Sequence, residues 1–90
     1  MYIEKTLKSH PYANCKIIIT DEYIYLKSYN TIILKYCITD YTLSVSGLYS
    51  STTRKHIGYW LKEVLPGVSY SQVKKAYENN YSIYTGGIRC

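Results

Sequence analysis

Hydroxyl groups and an imidazole occur close together in residues 49–65, and they are the first candidates for chemistry in this chain. The hydroxyl residues at 50–53 come shortly before His56. A hydroxyl nucleophile needs an adjacent base, and His supplies one when it lies within hydrogen-bond reach. Nothing in the sequence places an acid, such as Asp40, where it would orient His56. Hydroxyls at this position also cap the backbone amides of a helix start, and this structural interpretation is favoured.

Basic residues at the same helix start are suited to an anion. Free backbone amides, the helix dipole and the hydroxyl groups all favour phosphate there, and Arg54 and Lys55 add positive charge. No glycine-rich cradle accompanies them, so the pattern is not that of a nucleotide-binding loop.

A basic outer surface on two predicted helices is the main candidate for partner binding. Lysine and arginine side chains would neutralise phosphates or an acidic protein surface, and tyrosine rings would stack on unpaired bases. The candidate partner-binding residues are Arg54, Lys55, Tyr59, Lys62, Tyr70, Lys74 and Lys75. No recognised nucleic-acid-binding motif accompanies them, and two ordinary solvated helix faces are the structural alternative.

No catalytic, metal or cofactor site is predicted. The conceivable metal ligands are His10, Cys15, Cys37 and His56, but their spacings match no zinc pattern. The carboxylates are isolated or lie in a predicted turn, so paired groups for acid–base chemistry are not expected. The sequence therefore favours a binding protein over an enzyme, and an enzyme that uses His56 is the least favoured hypothesis.

The composition fits one small globular domain, residues 1–90, with a preference for anionic partners. The chain has 90 residues, 47% of them apolar, and a formal charge of +5. A domain of this size buries only about 60–65% of its unfolded surface, so a homodimer would add to its stability. Thirteen Tyr are too many for one small core, so several are expected on the surface, where they make good contact residues. Their β-propensity and a biased genome composition are the alternative explanation.

The cysteines and the N-terminal residues are typical of a soluble protein of the cytoplasm. The three cysteines form no C-x-x-C spacing. Cys15 and Cys37 occur in strand-like segments and are expected in the core, whereas the terminal Cys90 has no assigned role. Residues 1–11 are charged rather than apolar, so no signal peptide is predicted, and no stretch is long enough to span a membrane. Reduced thiols are expected in such a protein.

Four strands are predicted in the first half of the chain. They are rich in β-branched and apolar residues and occupy segments 14–20, 23–28, 31–38 and 42–46. Tyr23, Tyr25 and Lys27 share one side of the second strand. Asn30 is expected to adopt the left-handed conformation in the turn that follows. The short connections favour an antiparallel meander, and residues 1–13 are ambiguous.

Two short helices are predicted after the sheet. The apolar face of the first is formed by Ile57, Trp60, Leu61, Val64 and Leu65. Gly58 is expected to allow close packing of this helix on the sheet. Ser69 and Gln72 fit a capping box at the start of the second helix. Residues 82–90 are an edge strand or a flexible tail. Strands followed by helices define an α+β fold with both helices on one face of the sheet.

Two motifs resemble a family of small phage-associated domains of unknown function. The first is Ser-Tyr-Asn-Thr-Ile-Ile at 28–33, and the second is Tyr-Ser-Ser-Thr-Thr-Arg-Lys-His at 49–56. The family pattern has a Ser-Tyr-x-Thr strand before a Tyr-Ser-x-Thr-Thr-x-x-His turn and helix. The resemblance covers residues 23–65 and implies a phage or mobile-element origin, without an activity.

The leading functional hypothesis is a non-enzymatic, anti-CRISPR-type inhibitor, because small single-domain phage proteins often inhibit host defence. It would occupy a protein or nucleic-acid-binding surface of a host effector, such as a Cas nuclease complex, in the host cytoplasm. With a charge of +5, it would bind an acidic protein face, guide RNA or target DNA. The alternative is a small basic nucleic-acid-binding accessory or regulatory protein.

Overall fold

Six strands and two helices form the part of the chain that the computed structural model describes, residues 2–8, 14–47 and 51–86. The strands are β1 (Tyr2–Thr6), β2 (Cys15–Thr20), β3 (Tyr23–Ser28), β4 (Thr31–Cys37), β5 (Thr42–Val45) and β6 (Ile83–Tyr84). The helices, between β5 and β6, are α1 (Ser51–Val64) and α2 (Tyr70–Glu78). The predicted α+β class is confirmed. Of the residues considered in the sequence analysis, His10, Ser50 and Cys90 lie outside the described residues.

The strands form one antiparallel sheet in the order in which they occur in the chain, from β1 to β6. The four predicted strands correspond to β2 through β5, and the predicted meander is confirmed for them. The total of about four strands is wrong, because the sheet of the described residues contains six. β1 adds one edge, and β6 adds the other within the segment predicted as an edge strand.

β1 was ambiguous in the sequence because it lacks the pattern of a half-buried strand. Four of its five residues are exposed, and its sequence, Tyr-Ile-Glu-Lys-Thr, mixes one aliphatic residue with two charged ones. Pairing with β2, from Tyr2 opposite Thr20 to Thr6 opposite Lys16, makes the segment a strand. Such pairing is a tertiary effect that local β-propensity does not encode.

One face of the sheet carries the apolar core. Ile17 lies opposite Leu26, and Leu26 lies opposite Leu34, so three buried side chains form a row across β2, β3 and β4. The register between β3 and β4 shifts after Leu26, which leaves Ile33 as an extra residue in β4. This bulge allows both Ile33 and Leu34 to be buried.

Both helices pack on this core face, as predicted. α1 lies against β3, whereas α2 lies against β5 and β6. Trp60 is fully buried, and its indole N–H donates to the backbone carbonyl of Tyr25 at 3.1 Å. The largest side chain of the core therefore also links α1 to the backbone of the central strands.

The turn between β3 and β4 differs from its prediction. Tyr29, with φ of 56°, adopts the left-handed conformation that was expected of Asn30. The backbone N–H of Tyr29 donates to the carbonyl of Asn14 at 2.8 Å, and its ring centroid lies 5.8 Å from that of His56. These tertiary contacts offset the cost of a positive φ at a residue with a side chain.

Candidate binding surface on the helices

α1 is held on the sheet by one continuous buried stripe. The stripe comprises Thr53, His56, Ile57, Trp60, Leu61 and Val64. These positions recur with the spacing of one helix face, so the predicted apolar face is confirmed, with two polar residues added at its N-terminal end. The stripe fixes which side chains of α1 point outward.

The predicted partner-binding residues fall into two groups according to their exposure. The exposed group, named here the basic helical surface, consists of Arg54, Lys55, Lys62, Lys74 and Lys75. Tyr59 and Tyr70 are half-buried and pack against the core. Tyr59 therefore does not lie on the outer line that its helical position predicted, and its ring contributes to packing.

Arg54 and Tyr70 connect the two helices at the outer surface. The guanidinium carbon of Arg54 lies 5.6 Å from the centroid of the Tyr70 ring, within the range of a cation–π contact. Contact with the ring restrains the guanidinium, whose edge carries donors that match phosphate or carboxylate geometry. The structure thus brings together two predicted residues that are 16 positions apart in the sequence.

The start of α2 is fixed by the predicted capping box. The backbone N–H of Ser69 donates to Oε1 of Gln72 at 2.8 Å, and the backbone N–H of Gln72 donates to Oγ of Ser69 at 3.4 Å. These reciprocal bonds satisfy amides that a helix start leaves open. They also set the position of Tyr70 against α1 and of Lys74 one turn later.

A groove of about 260 Å³ lies between α1 and α2 beside this contact. Its lining consists of Gly58, Leu61, Lys62, Pro66, Val68, Ser69 and Tyr70. A Cβ added to Gly58 would meet nothing within 4 Å, so the expectation that this glycine allows close packing on the sheet is wrong. Gly58 instead leaves space in the groove, with the Lys62 side chain at its rim.

His56 forms a buried hydrogen bond with the sheet. Its side chain is 2% exposed, and its Nδ1 lies 2.8 Å from Oγ of Ser28 on β3. In this arrangement the ring is not accessible to a molecule in solvent. The geometry therefore favours the structural interpretation of His56. The sequence carried no signal for this contact, because only the packing of α1 on β3 brings the two residues together.

The other reactive groups are buried or dispersed. Cys15 and Cys37 are both buried, as predicted, and burial raises the pKa of the Cys15 thiol to about 11. A thiol with such a pKa is protonated and unreactive at neutral pH. Within residues 2–8, 14–47 and 51–86, no group of three or more His, Cys, Asp and Glu could hold a metal ion. In the same part of the chain, no helix has the length and apolar character needed to cross a membrane.

The fold and this surface define a small α+β domain whose helices cover one face of a six-stranded sheet and expose a basic outer side. The chain belongs to a family of unknown function, DUF8033, whose model matches residues 1–80. The match runs from β1 through α2, so it extends well beyond the motifs at 28–33 and 49–56. No curated protein and no solved structure matches the chain. Family membership assigns no activity, so any functional inference depends on the surfaces of the domain.

Proposed function

We propose that this domain is a non-enzymatic binding protein that engages an anionic partner through the basic helical surface. The observation that carries the proposal is the contact of Arg54 with Tyr70, beside a groove that Lys62 lines. Cations from two helices, with a half-buried aromatic ring between them, suit a phosphate group or a cluster of carboxylates.

The charge distribution of the helices supports an anionic partner. α1 and α2 carry five exposed cationic side chains and two acidic residues, Glu63 and Glu78. Neither helix has an acidic residue in its first turn, so its own carboxylates do not neutralise the positive end of its dipole. The carboxylate of Glu63 accepts the backbone N–H of Lys8 at 2.8 Å, on the side of α1 that faces the segment after β1.

In its specific form, the proposed function is that of a phage-encoded inhibitor of a host defence machine, such as a CRISPR–Cas effector. The small size, the charge of +5 and the two motifs that resemble phage-associated domains support this form. The basic helical surface would occupy an acidic face of the effector or the nucleic acid that it holds. Such an inhibitor would act in the cytoplasm of the host cell.

The second candidate is a small nucleic-acid-binding accessory or regulatory protein. The contact of Arg54 with Tyr70 favours it, because aromatic rings and guanidinium groups are the usual platforms for unpaired bases. In this form the protein would bind DNA or RNA directly, and its affinity would fall steeply with salt as phosphate contacts are screened.

Charge reversal on the helices tests the proposal. The double variant Lys55→Glu/Lys62→Glu lowers the formal charge from +5 to +1, because each substitution removes two units. The matched control, Lys5→Glu/Lys8→Glu, makes the same change at exposed residues of the β1 region. Binding to candidate effector complexes is measured by pull-down with and without nucleic acid, and binding to oligonucleotides by gel retardation.

The helical variant should weaken binding by about 25-fold or more at ~0.1 M salt, since each lost phosphate contact costs about fivefold there. The control should change affinity far less. An equal loss in both variants would mean that only net charge matters and would contradict a defined surface. Failure to recover any effector, together with unaffected interference activity, argues against the inhibitor. Absence of retardation at low salt argues against the nucleic-acid-binding form.

A further inference from the structure

The face of the sheet opposite the helices carries lysines and tyrosines at adjacent positions. Neither described helix packs on it, since both lie on the core face. The central residues of this open face are Glu4, Lys16, Ile18, Tyr23, Tyr25, Lys27 and Lys35. The register places Glu4 opposite Ile18, Ile18 opposite Tyr25, and Tyr25 opposite Lys35. One continuous row therefore crosses β1 to β4.

Two neighbouring rings lie at the centre of the open face. The centroids of Tyr23 and Tyr25 are 5.7 Å apart with the rings inclined by 33°, and both residues are half-buried. Nζ of Lys35 lies 4.9 Å from the centroid of Tyr23. Lys35 thus lies over one ring of an aromatic pair, where its ammonium can contact the phosphate that adjoins a base stacked on the pair.

The lysines of the open face outnumber its carboxylates. Nζ of Lys16 and of Lys27 lie 3.4 Å and 3.7 Å from Oε2 of Glu4, and the Tyr2 hydroxyl donates to Glu4 at 3.0 Å. Three lysines and one carboxylate leave this central cluster with a net charge of +2. The hydrogen bond from Tyr2, aided by the two lysines, lowers the pKa of Glu4, so this carboxylate is ionised at neutral pH.

The acidic residues near this face lie at one end only. Asp21 and Glu22 form the turn between β2 and β3, and Asp40 lies between β4 and β5. Both turns are at the end of the sheet near Tyr23. Lys16 and Lys27, which pair across β2 and β3, lie toward the other end. A phosphate backbone would therefore follow the lysine end of the face.

We propose that the open face binds single-stranded nucleic acid, with unpaired bases stacking on Tyr23 and Tyr25 and phosphates contacting Lys16, Lys27 and Lys35. Bases within a duplex are stacked on one another and cannot lie on these rings, so a single strand is the matching form. This site is distinct from the basic helical surface and does not depend on it.

The same charges disfavour two other occupants. A second copy of the chain, placed face to face by a two-fold axis, would bring the lysines of both copies together around only two Glu4 carboxylates. An apolar protein surface would have to bury three cations with only one carboxylate among them, which is costly. A polymer that combines anionic groups with flat rings can pair with the lysines and stack on the tyrosines of the face.

Fluorescence anisotropy with a labelled single strand of about 12 nucleotides, and with the same sequence as a duplex, tests this inference. The variant Tyr23→Leu/Tyr25→Leu removes the rings but keeps apolar bulk, and its control, Tyr23→Phe/Tyr25→Phe, keeps the rings. Lys35→Gln removes one cation, and Lys62→Gln removes one from the helical surface. Thermal unfolding of every variant shows whether the fold is retained.

The Leu variant should lose about tenfold or more in affinity for the single strand, since each stacked base contributes substantially. The Phe variant should stay close to the parent protein. Lys35→Gln should weaken binding by about fivefold at ~0.1 M salt, and the duplex should bind more weakly than the single strand. Should the Leu variant fail to fold, NMR titration of the parent protein decides, with shifts at Tyr23, Tyr25 and Lys35 expected.

Each of the following results would overturn the inference. They are no binding of single strands at ~0.05 M salt, equal binding of the duplex, equal losses in the Leu and Phe variants, and NMR shifts confined to α1 and α2. A loss of affinity in Lys62→Gln without one in Lys35→Gln would also reject the open face, while supporting the helical surface. A stable dimer that buries Tyr23 and Tyr25 would replace nucleic acid with a second copy of the chain.

Discussion

The basic helical surface and the open face of the sheet use the same residue types in different arrangements. The helical surface has five exposed cations and one half-buried ring, Tyr70, beside Arg54, whereas the Tyr59 ring packs against the core. The open face has three lysines beside two neighbouring rings, and Glu4 holds two of those lysines. A helix spreads its side chains around a cylinder, whereas a sheet brings alternate residues of several strands into one plane. Charge therefore dominates one surface, and stacking geometry dominates the other.

This difference has a measurable consequence for binding. A contact made mainly by lysine and arginine loses affinity steeply as salt rises, because counterions compete for the phosphates. A contact that includes stacking on tyrosine retains a component that salt affects little. The affinity of the helical surface for its ligand should thus fall more steeply as salt rises. The open face should show the stronger preference for unpaired over paired bases.

The substitution with the largest expected effect, Trp60→Ala, should disrupt both surfaces at once. Trp60→Ala deletes a fully buried side chain and its hydrogen bond to the Tyr25 carbonyl, which joins α1 to β3. We expect the free energy of unfolding to fall by about 3–5 kcal/mol, a large part of the stability of a small domain. Urea denaturation measures it. Tyr77→Ala, at an exposed position on α2, is the control and should change stability by less than about 0.5 kcal/mol. A similar fall in the free energy of unfolding for Trp60→Ala and Tyr77→Ala would show that Trp60 does not hold α1 on the sheet.

The next prediction tests whether the two surfaces act independently. K55E/K62E should cost about 25-fold in affinity for a ligand of the helical surface and leave single-strand binding at the open face unchanged, whereas K35Q should weaken single-strand binding about fivefold, so the combined variant should lose no more single-strand affinity than K35Q alone. Free energies at separate sites add to within about 0.5 kcal/mol. Anisotropy titrations of the four proteins provide the cycle. If the combined variant loses much more single-strand affinity than K35Q alone, both surfaces contact the same strand and the distinction between them fails.

The helical surface was predictable because its determinants are local. The spacing of Ile57, Trp60 and Leu61 identifies the buried side of α1, and the capping box at Ser69 and Gln72 sets where α2 begins. Exposed positions follow from the same periodicity. The exception is Tyr59, which lies at the border of the buried stripe. The periodicity predicted an outward ring, but the ring packs against the core. Side-chain direction at the border of a stripe depends on what the neighbouring element offers.

The open face was predictable only within single strands. Alternation placed Tyr23, Tyr25 and Lys27 on one side of β3, and the structure confirms this. It could not place Lys35 over Tyr23 or Glu4 beside Lys16, because those contacts depend on the register between strands. Register is set by turns, by the bulge at Ile33 and by the pairing of β1, none of which is visible in the alternation itself.

A third prediction concerns the hydrogen bond that joins α1 to β3 between the two surfaces. Ser28→Ala removes the hydroxyl 2.8 Å from Nδ1 of His56, at a site where both residues are about 2% exposed. Loss of a buried partner costs about 1–3 kcal/mol. The matched control is Ser44→Ala, whose hydroxyl pairs with Ser82 at 3.2 Å near solvent. Chemical denaturation should separate the two variants, and equal costs would contradict a stabilising role for the Ser28–His56 contact.

The fourth prediction changes the helical surface without changing charge. Gly58→Ala adds a methyl group that meets no atom within 4 Å, so we expect a gain of about 1 kcal/mol from helix propensity alone. The methyl group also takes space in the groove beside Lys62 and Tyr70. Thermal unfolding should show the gain. A ligand that enters the groove should bind the variant more weakly, whereas single-strand binding at the open face should be unchanged. Destabilisation would show that Gly58 is required by its surroundings.

The smallest effect is expected from Glu4→Gln, which sharpens the contrast in charge between the surfaces. Removing this carboxylate releases Lys16 and Lys27 from their ion pairs and should raise single-strand affinity by up to about fivefold at ~0.1 M salt. Because the hydrogen bond from Tyr2 and the lysines lower the pKa of Glu4, the parent protein should gain the same affinity only as the pH falls through that lowered pKa. The stability of the fold that this ionised carboxylate contributes is present above its unfolded pKa and is lost over the same fall in pH.

The control for this prediction is Glu22→Gln, in the turn after β2, which removes the same charge away from the lysines. Equal gains in both variants would mean that net charge, and not the cluster around Glu4, governs binding at the open face.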